Sequence, residues 1–346
     1  MDGALRLWID GGTTNTRFTL TRGEEIAERT CRRVGAANAG SAVCNAPLVA
    51  AVAAETAALE TKYGAQIERI CASGMITSEN GLLEVPHLSA SVGLCELAQG
   101  VRTVRLAEVS KTALVDLIPG VRCGGGMTAD MMRGEETEVM GWGEDEARSR
   151  LFLHFGSHNK AILVKNGRIE KSITTLSGEL LYAVMHDTIL GSAAGLEPPE
   201  GFFEEDAERG FQAAASSGAA RALFQARLYA TREDKTPAHV YSFLVGALAQ
   251  QDLMAFDPLL RQGWRKWYCM AEMRLSAHFS ADFTWKRYGH YPIRIANGSA
   301  FMECAGLCGP ESRWHAFQRK RFRFLHKHKK ERNDSGGQFF LLAALL

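Results

Sequence analysis

Several features that would assign a function directly are missing from this sequence of 346 residues. The chain has almost no net charge, +1 at pH 7, so its overall field favours neither nucleic acid nor an anionic membrane. The longest apolar run near either end, 339–346, is too short to span a bilayer, and no basic stretch with an apolar core marks a secretory signal. We therefore expect a cytoplasmic protein with no nucleic-acid partner and no membrane partner.

Cysteine pairs and long repeats are also missing. The eight cysteines are scattered and contain no CxxC pair, so we expect reduced thiols rather than disulfides. Cys304 and Cys308 stand close together, but no second pair with suitable spacing accompanies them, and no zinc site is predicted. No repeat of 20–50 residues is evident, which excludes a solenoid or a propeller.

Charge is divided unevenly along the chain. Residues 261–346 hold 16 Lys and Arg against 6 Asp and Glu, together with four of the six tryptophans, and regular periodicity fades there. The basic and aromatic stretch 319–330 could be an arm that binds nucleic acid or a membrane surface, or it could be a solvated tail. The solvated tail is favoured because nothing else in the sequence supports nucleic-acid chemistry. We predict domains at 1–112 and 113–260 and an atypical basic region at 261–346.

Alternation of apolar and polar residues predicts the fold class. Strand-like segments at 5–10 and 17–21 form a hairpin, and a second strand–turn–strand unit spans 151–164. An Ala-rich segment at 46–63 has helical spacing, and another helix is predicted at 130–142. Hairpins followed by alternating strands and helices indicate an α/β protein with mixed sheets.

The turn at 10–17, between the first two predicted strands, is rich in glycine and hydroxyl groups. Glycines let the backbone approach a ligand, and successive N–H groups can form an anion-binding concavity. Asp10 could hold Mg²⁺ through water, and Arg17 could reach a phosphate or a carboxylate. A plain hairpin is the alternative, since the turn matches neither GxxxxGK[ST] nor GxGxxG. The candidate phosphate-binding residues are Gly11, Gly12, Thr13, Thr14 and Asn15.

A second turn, at 156–160, also joins two predicted strands. Lys160 supplies a point charge suited to phosphate. His158 fits either a donor to phosphate or a structural role. The two turns together therefore predict a pair of anion-binding loops.

Arg133, Gly134, Glu135 and Glu136 form a dense charge cluster between the two turns. Carboxylates at a helix N-terminus are favoured by the helix dipole, so the cluster could simply cap a helix. In the functional interpretation Glu135 or Glu136 accepts the proton of an attacking hydroxyl or helps to position Mg²⁺, and Arg133 binds an acidic substrate. These residues leave the choice between the two carboxylates open.

These segments resemble the 2-dehydro-3-deoxygalactonokinase family of the actin/hexokinase-like sugar kinases. DGGTTNTR at 10–17 resembles the first phosphate motif of that superfamily, and MRGEET at 132–137 is similar to a more specific block of the family. GSHNK at 156–160 resembles the family's second phosphate turn, and TLSGE at 175–179 resembles its TLTGE block. The segment from Gly74 to Ser78 is similar to its GMxxS. The resemblance covers about residues 5–256.

The resemblance implies two ribonuclease-H-like (actin-like ATPase) domains with ATP and a sugar acid in the cleft between them. It implies ATP- and Mg²⁺-dependent phosphorylation of 2-dehydro-3-deoxy-D-galactonate to its 6-phosphate in D-galactonate catabolism, and it leaves a homo-oligomer open. The implied catalytic residues are Asp10, Arg133, Glu135 and Glu136, with Asp10 also the metal ligand. The implied nucleotide-binding residues are those of the first turn with Gly156, Ser157, His158 and Lys160. The implied substrate-binding residues are Arg17, Ser78, Gly178 and Glu179.

The chain departs from the family pattern after about residue 260. No apolar strand there leads into the family's Gly-Ser adenosine turn, and 297–299 is a poor substitute. We hypothesise that 261–346 is degenerate or translated out of the ancestral reading frame. The competing interpretations are a non-catalytic sugar-acid-binding relic or regulator, and another phosphotransferase or nucleotidase of the superfamily.

Translation of the coding DNA for 261–346 in the other two reading frames tests the frame hypothesis. We expect one frame to restore an apolar strand, a Gly-Ser turn and a helix, because a shifted frame keeps the ancestral codons. If neither frame restores that pattern, the frame hypothesis is wrong.

Overall fold

The pairing of the predicted strands is visible in the computed structural model, which describes residues 4–23, 25–39, 45–141, 149–262 and 267–271. The described residues form two units. One unit takes the residues up to 141 together with Val164–Ser172, and the other takes 149–163 with 173–262 and 267–271. Most of the atypical region, including 297–299, Cys304 and Cys308, lies outside the described residues.

A mixed sheet forms the centre of the first unit. The strands of this unit are β1 (Leu5–Gly11), β2 (Thr16–Arg22), β3 (Glu25–Arg32), β4 (Ile67–Gly74), β5 (Leu88–Ser89), β6 (Arg102–Val104), β7 (Leu114–Leu117), β8 (Val121–Cys123) and β9 (Asp130–Met132). The helices of the unit are α1 (Ala46–Tyr63), α2 (Leu94–Gly100) and α3 (Glu135–Gly141). The large sheet has the order β3-β2-β1-β4-β7-β6, and β5-β8-β9 form a small one. Strand β1 is antiparallel to β2 and parallel to β4. The mixed α/β fold class is therefore confirmed.

The core of the first unit lies between the large sheet and α1. Leu7 and Ile9, on one face of β1, pack in the same cluster as Val52 of α1. Helix α1 begins after Asn45, whose Oδ1 accepts the Leu48 N–H at 3.2 Å, and ends at Gly64 in the left-handed region. Its bounds are those predicted from the sequence.

Strand β7 pairs in parallel with β4 in this same sheet, so the first unit continues beyond residue 113. The domain boundaries after residues 112 and 260 stay predictions.

The helix predicted at 130–142 begins later than expected. Asp130–Met132 is a strand that pairs antiparallel with Val121–Cys123, and α3 begins only at Glu135. Between them Gly134 has a φ of 119°, a conformation that interrupts a right-handed helix. The prediction was wrong for the first residues because strand pairing with a segment earlier in the chain overrides local helical spacing.

The second unit combines a sheet with a group of helices. The strands of this sheet are β10 (Arg150–Phe155), β11 (Asn159–Lys165), β12 (Arg168–Thr175) and β13 (Trp267–Ala271), in the order β12-β11-β10-β13, and residues 164–172 of β11 and β12 are counted with the first unit. The helices of the second unit are α4 (Ser177–Asp187), α5 (Gly191–Ala194), α6 (Glu204–Ser217), α7 (Ala219–Arg232) and α8 (Pro237–Leu260). None of the helices in the described ranges is both long and apolar enough to cross a membrane.

Helices α6 and α8 approach each other at two glycines. A Cβ at Gly246 would lie 1.8 Å from the Ala207 carbonyl oxygen, and a Cβ at Gly210 would lie 1.9 Å from that of Phe243. Real side chains cannot occupy these positions, because atoms at such distances overlap strongly. The two glycines therefore set the distance between α6 and α8, and with it the position of α8 in the unit.

Replacement of Gly246 by alanine tests this packing. Helix propensity alone favours alanine by about 1 kcal/mol, whereas the clash with Ala207 opposes it. We expect Gly246→Ala to lower the free energy of unfolding, measured in urea, by about 1–3 kcal/mol. Gly125→Ala is the control, because a Cβ at Gly125 meets no atom within 4 Å and its backbone is extended. Equal stability of Gly246→Ala and the wild type would contradict the close approach.

Candidate active site

The first turn, between β1 and β2, has an ion pair at its base. Asp10 and Arg17 face each other in the strand register, and Arg17 Nη1 lies 3.1 Å from Asp10 Oδ2. Both side chains are partly exposed, Asp10 at 26% and Arg17 at 34%. The Gly12 N–H donates to the Asn15 carbonyl at 2.8 Å and closes the turn. The turn thus presents a carboxylate with a guanidinium beside it.

The backbone of the first turn is held by the segment that follows β3. The Ala36 N–H donates to the Gly12 carbonyl at 3.1 Å, and the Ala37 N–H donates to the Thr13 carbonyl at 2.9 Å. A Cβ at Gly35 would lie 2.4 Å from that Thr13 oxygen. Thr14 is exposed at the tip. The turn therefore has a defined shape, and of its threonines Thr13 is half-buried and Thr14 remains accessible to a ligand.

Three glycines bring the first turn and the charge cluster together. Gly11 and Gly74 are neighbours in the parallel register of β1 and β4. A Cβ at Gly74 would lie 2.6 Å from the Gly11 carbonyl oxygen and 3.4 Å from Asp10 Oδ1, and a Cβ at Gly134 would lie 3.3 Å from Gly74 Cα. Gly74 and Gly134 both have positive φ, 84° and 119°. Gly74 thus lies against both Gly11 and Gly134, which are more than a hundred residues apart in the sequence.

The guanidinium of Arg133 is directed into the protein. Its Nη1 donates to the carbonyl and the hydroxyl of Thr77, both at 2.8 Å, and its Nη2 donates to the Val85 carbonyl at 2.9 Å. Nη2 also lies 3.1 Å from Nδ1 of His87, whose pKa is lowered by burial and by Arg133 itself. Arg133 therefore holds the 77–87 segment beside the cluster, and its contact with a substrate stays a prediction.

The two carboxylates of the cluster have different surroundings. Glu136 is completely buried, and both of its oxygens lie 2.8 Å from the Gly134 N–H. Burial and the neighbouring Glu135 raise the pKa of Glu136 to about 8, although these backbone contacts and Arg133 oppose the rise. Glu135 is only half-buried, and its Oε2 accepts the Arg133 N–H at 3.1 Å. Glu135 is therefore the more accessible carboxylate, while Glu136 fixes the backbone before α3.

Two serines lie next to these residues. The Ser78 hydroxyl, which the resemblance assigned to substrate, donates to the Met75 carbonyl at 2.7 Å and is largely buried. Ser73 is the neighbour of Asp10 in the strand register. Ser73 is 1% exposed, and its buried hydroxyl has no hydrogen-bond partner within the described part of the chain. Ser73 was not selected from the sequence, because a serine at the end of a strand gives no signal by itself.

The second turn lies in the second unit, between β10 and β11, and packs on the start of α4. A Cβ at Gly178 would lie 2.0 Å from the Gly156 carbonyl oxygen, so only glycine allows this approach. The Glu179 N–H donates to the Ser157 carbonyl at 2.8 Å, and its carboxylate lies 2.9 Å from His158 Nε2. Gly178 and Glu179, predicted to bind substrate, are thus brought to the predicted nucleotide turn.

A buried carboxylate lies behind the second turn. Asp252 of α8 is 4% exposed and accepts hydrogen bonds from Asn159, Thr175 and Ser177. Lys160, the next residue after Asn159, is largely buried on β11. Asp252 was missed in the sequence, although it is a carboxylate within a long apolar helix, and Thr77 and His87 were missed as partners of Arg133.

The residues present fit the cofactors that the resemblance implies. The described residues contain no group of three His, Cys, Asp or Glu side chains that could enclose a metal. A hydrated Mg²⁺ needs only one or two protein carboxylates, and the partly exposed Asp10 suits that role. The two turns supply glycine backbone, hydroxyl groups and Lys160, which are suited to phosphate. Each turn is held rigidly within its own unit.

A family model matches the part of the chain that holds these motifs. The model for 2-keto-3-deoxy-galactonokinase matches residues 10–308 of this chain. The match includes both turns and the charge cluster, and it continues into the atypical region.

Two curated relatives align with parts of the chain. A 2-dehydro-3-deoxygalactonokinase from Escherichia coli (strain K12) is 28% identical over 192 residues, which are 56% of this chain and 60% of the relative. A protein from Rhizobium meliloti (strain 1021), named a probable 2-dehydro-3-deoxygalactonokinase, is 29% identical over 121 residues, which are 35% of this chain and 38% of that protein. The aligned segments thus cover less than two thirds of either relative.

A solved structure supports the fold. A crystal structure from Sinorhizobium meliloti, provisionally described as a 2-dehydro-3-deoxygalactonokinase protein, superposes with a TM-score of 0.66 at 19% identity. The match covers 82% of this chain and 91% of that one. At this identity the similarity shows the fold alone.

Replacement of Glu136 by glutamine tests its protonation. A carboxyl group whose pKa rises on folding makes its full contribution to stability when the pH is below its pKa in the unfolded chain, near 4.5. This contribution is lost as the pH rises through the pKa of the group in the native chain, about 8. We expect the stability of Glu136→Gln relative to the wild type to increase between pH 5 and pH 8, with a slope of at most about 1.4 kcal/mol per pH unit. Urea denaturation at several pH values measures it.

The exposed Glu68→Gln is the control for this measurement, because it removes a carboxylate without changing a buried group. Parallel stability curves for Glu136→Gln and the wild type would show that Glu136 is ionised in the native chain.

Proposed function

Because the chain belongs to the 2-keto-3-deoxy-galactonokinase family, we propose that it phosphorylates 2-dehydro-3-deoxy-D-galactonate at its terminal hydroxyl with ATP and Mg²⁺, in D-galactonate catabolism. The observation that carries the proposal is the contact of Gly11, Gly74 and Gly134, because it brings the first turn to the charge cluster. A phosphoryl transfer needs such a combination of phosphate-binding backbone, metal ligand and base.

Glu135 is the proposed general base. It is half-buried, whereas Glu136 is completely buried with a pKa raised to about 8, so that most of Glu136 carries a proton at pH 7. A base must be ionised and must reach the hydroxyl of the substrate. The more accessible Glu135 therefore suits the role better than Glu136 does. In this proposal Glu136 holds the Gly134 N–H and thereby the position of Glu135.

Arg17 is the proposed partner of the sugar acid's carboxylate. Within the described residues, the Nη groups of Arg133 contact Thr77, Val85 and His87, whereas Arg17 keeps a third of its side chain exposed. A planar guanidinium can bind a carboxylate through two N–H groups. Arg133 keeps the cluster in place in this proposal.

The two turns are the proposed phosphate-binding elements. In the first turn Thr13, Thr14 and Asn15 orient the transferred phosphate, and in the second turn Ser157 and Lys160 bind the nucleotide. Asp10 would hold Mg²⁺, which neutralises charge on the phosphates when it is bound. We expect the reaction in the cytoplasm, because ATP is available there and Cys31, Cys71, Cys95 and Cys123 are free thiols.

A second candidate is a sugar-acid-binding relic or regulator without turnover. The basic composition of 261–346 favours it, because that region lacks the Gly-Ser adenosine turn of the family. Such a protein would bind the sugar acid through the first unit without transferring phosphate.

Turnover on a panel of 2-keto-3-deoxy sugar acids tests the proposal. We expect ADP release with ATP, Mg²⁺ and the galacto acid, and a fall in kcat of about 10²–10⁴-fold in Glu135→Gln, because the base is lost. Glu138→Gln, which makes the same change one turn further along α3, is the control and should keep its activity.

Two results would change the assignment. Turnover that survives in Glu135→Gln would remove Glu135 as the base. Folded protein that binds the sugar acid but turns over none of the panel would favour the relic or regulator.

A further inference from the structure

Asp252 stands out among the buried groups that the proposed reaction does not use. It lies on α8, which is otherwise mostly apolar on its buried side, and only 4% of it is exposed. An ionised carboxylate in such a place is costly unless hydrogen bonds compensate it. Burial raises the pKa of Asp252, and its three hydrogen bonds oppose that rise. The partners of this carboxylate therefore decide its role.

The three donors come from three elements that meet at the second turn. The amide nitrogen of Asn159, at the start of β11, lies 2.8 Å from Asp252 Oδ2. The hydroxyl of Thr175, at the end of β12, lies 2.5 Å from Oδ1, and that of Ser177 at the start of α4 also donates to Oδ1. One carboxylate on α8 thus ties β11, β12 and α4 together.

The contact of Asp252 with Asn159 also determines how the side-chain amide of Asn159 is oriented. An ionised carboxylate can only accept, so the NH₂ group of Asn159 must face Asp252. The Asn159 oxygen then faces the Gly156 N–H, which donates to it at 3.1 Å. The charge on Asp252 therefore controls a hydrogen bond at the first residue of the second turn, although Asp252 itself does not contact that residue.

The contact with Ser177 has a similar consequence on the other side of the turn. Ser177 begins α4, and the next two residues contact the turn directly. Gly178 packs against the Gly156 carbonyl oxygen, and the Glu179 N–H donates to the Ser157 carbonyl at 2.8 Å. Asp252 thus holds both sides of the 156–158 backbone through its neighbours.

We propose that Asp252 is a positioning residue that sets the geometry of the second turn and thereby the affinity for the phosphates of a nucleotide. The nucleotide part rests on the proposed kinase function. The positioning part does not, because it concerns hydrogen bonds within the free protein.

Hydrogen exchange in the free protein tests the positioning part. Asp252→Asn places an NH₂ group where the network needs an acceptor, so the amides of Gly156 and Glu179 should lose protection by about ten-fold or more. The double variant Asn159→Asp with Asp252→Asn reverses donor and acceptor. The new carboxylate at position 159 can accept from Gly156 and from the new amide at position 252, so protection should return.

Ser242→Ala is the matched control. Ser242 is also completely buried on α8, and its hydroxyl bonds with Phe203 and Ala238 rather than with the second turn. We expect Ser242→Ala to lower stability without changing exchange at Gly156 or Glu179. Loss of protection there in Ser242→Ala as well would show that any buried polar change loosens the turn, and it would overturn the specific role of Asp252.

Direct binding of ATP without sugar acid tests the nucleotide part. We expect about ten-fold weaker binding in Asp252→Asn, recovery in the double variant, and an unchanged KM for the sugar acid. Weaker protection with unchanged ATP binding would overturn the link to the nucleotide, and unchanged protection would overturn the positioning role itself. If the wild type binds no ATP, the proposed kinase function is contradicted instead. The hydrogen-exchange results would still decide whether Asp252 positions the turn.

Discussion

The contact among Gly11, Gly74 and Gly134 is the constraint on which the first unit's candidate site depends. A side chain at Gly74 would collide with the Gly11 carbonyl oxygen, a Cβ at Gly134 would lie 3.3 Å from Gly74 Cα, and both Gly74 and Gly134 have a positive φ. Their conformational freedom makes them unfavourable elsewhere, but here it allows the end of β1, the end of β4 and the start of α3 to meet. The proposed roles of Asp10 and Glu135 in one reaction depend on this approach.

In the second unit, a buried hydrogen-bond network holds the candidate turn in place. A buried carboxylate, Asp252, accepts hydrogen bonds from hydroxyl and amide donors of β11, β12 and α4. A network of this kind is stable only when every member is satisfied, because an unpaired buried charge costs several kcal/mol. Glycine packing also contributes here, since Gly178 lets α4 touch the turn.

Environment, not residue type, separates the two glutamates of the charge cluster. Glu135 and Glu136 are adjacent and chemically identical, and the sequence left the choice of base open. Complete burial raises the pKa of Glu136 to about 8, whereas Glu135 is only half-buried and is the base in the proposed reaction. Arg133 shows the same principle, because its hydrogen bonds to Thr77 and Val85 could not be foreseen from a position next to Gly134.

The sequence by itself determined the fold class, the hairpin of β1 and β2, the bounds of α1 and the family, because these depend on local periodicity, capping residues and short motifs. It did not determine where the helix after Asp130 begins, since β8 pairs with that segment. Only the tertiary structure decided that Asp252 joins residues 75 to 93 positions earlier in the chain and that Gly11 touches Gly74. Such contacts depend on how elements pack in space, and no spacing along the chain encodes them.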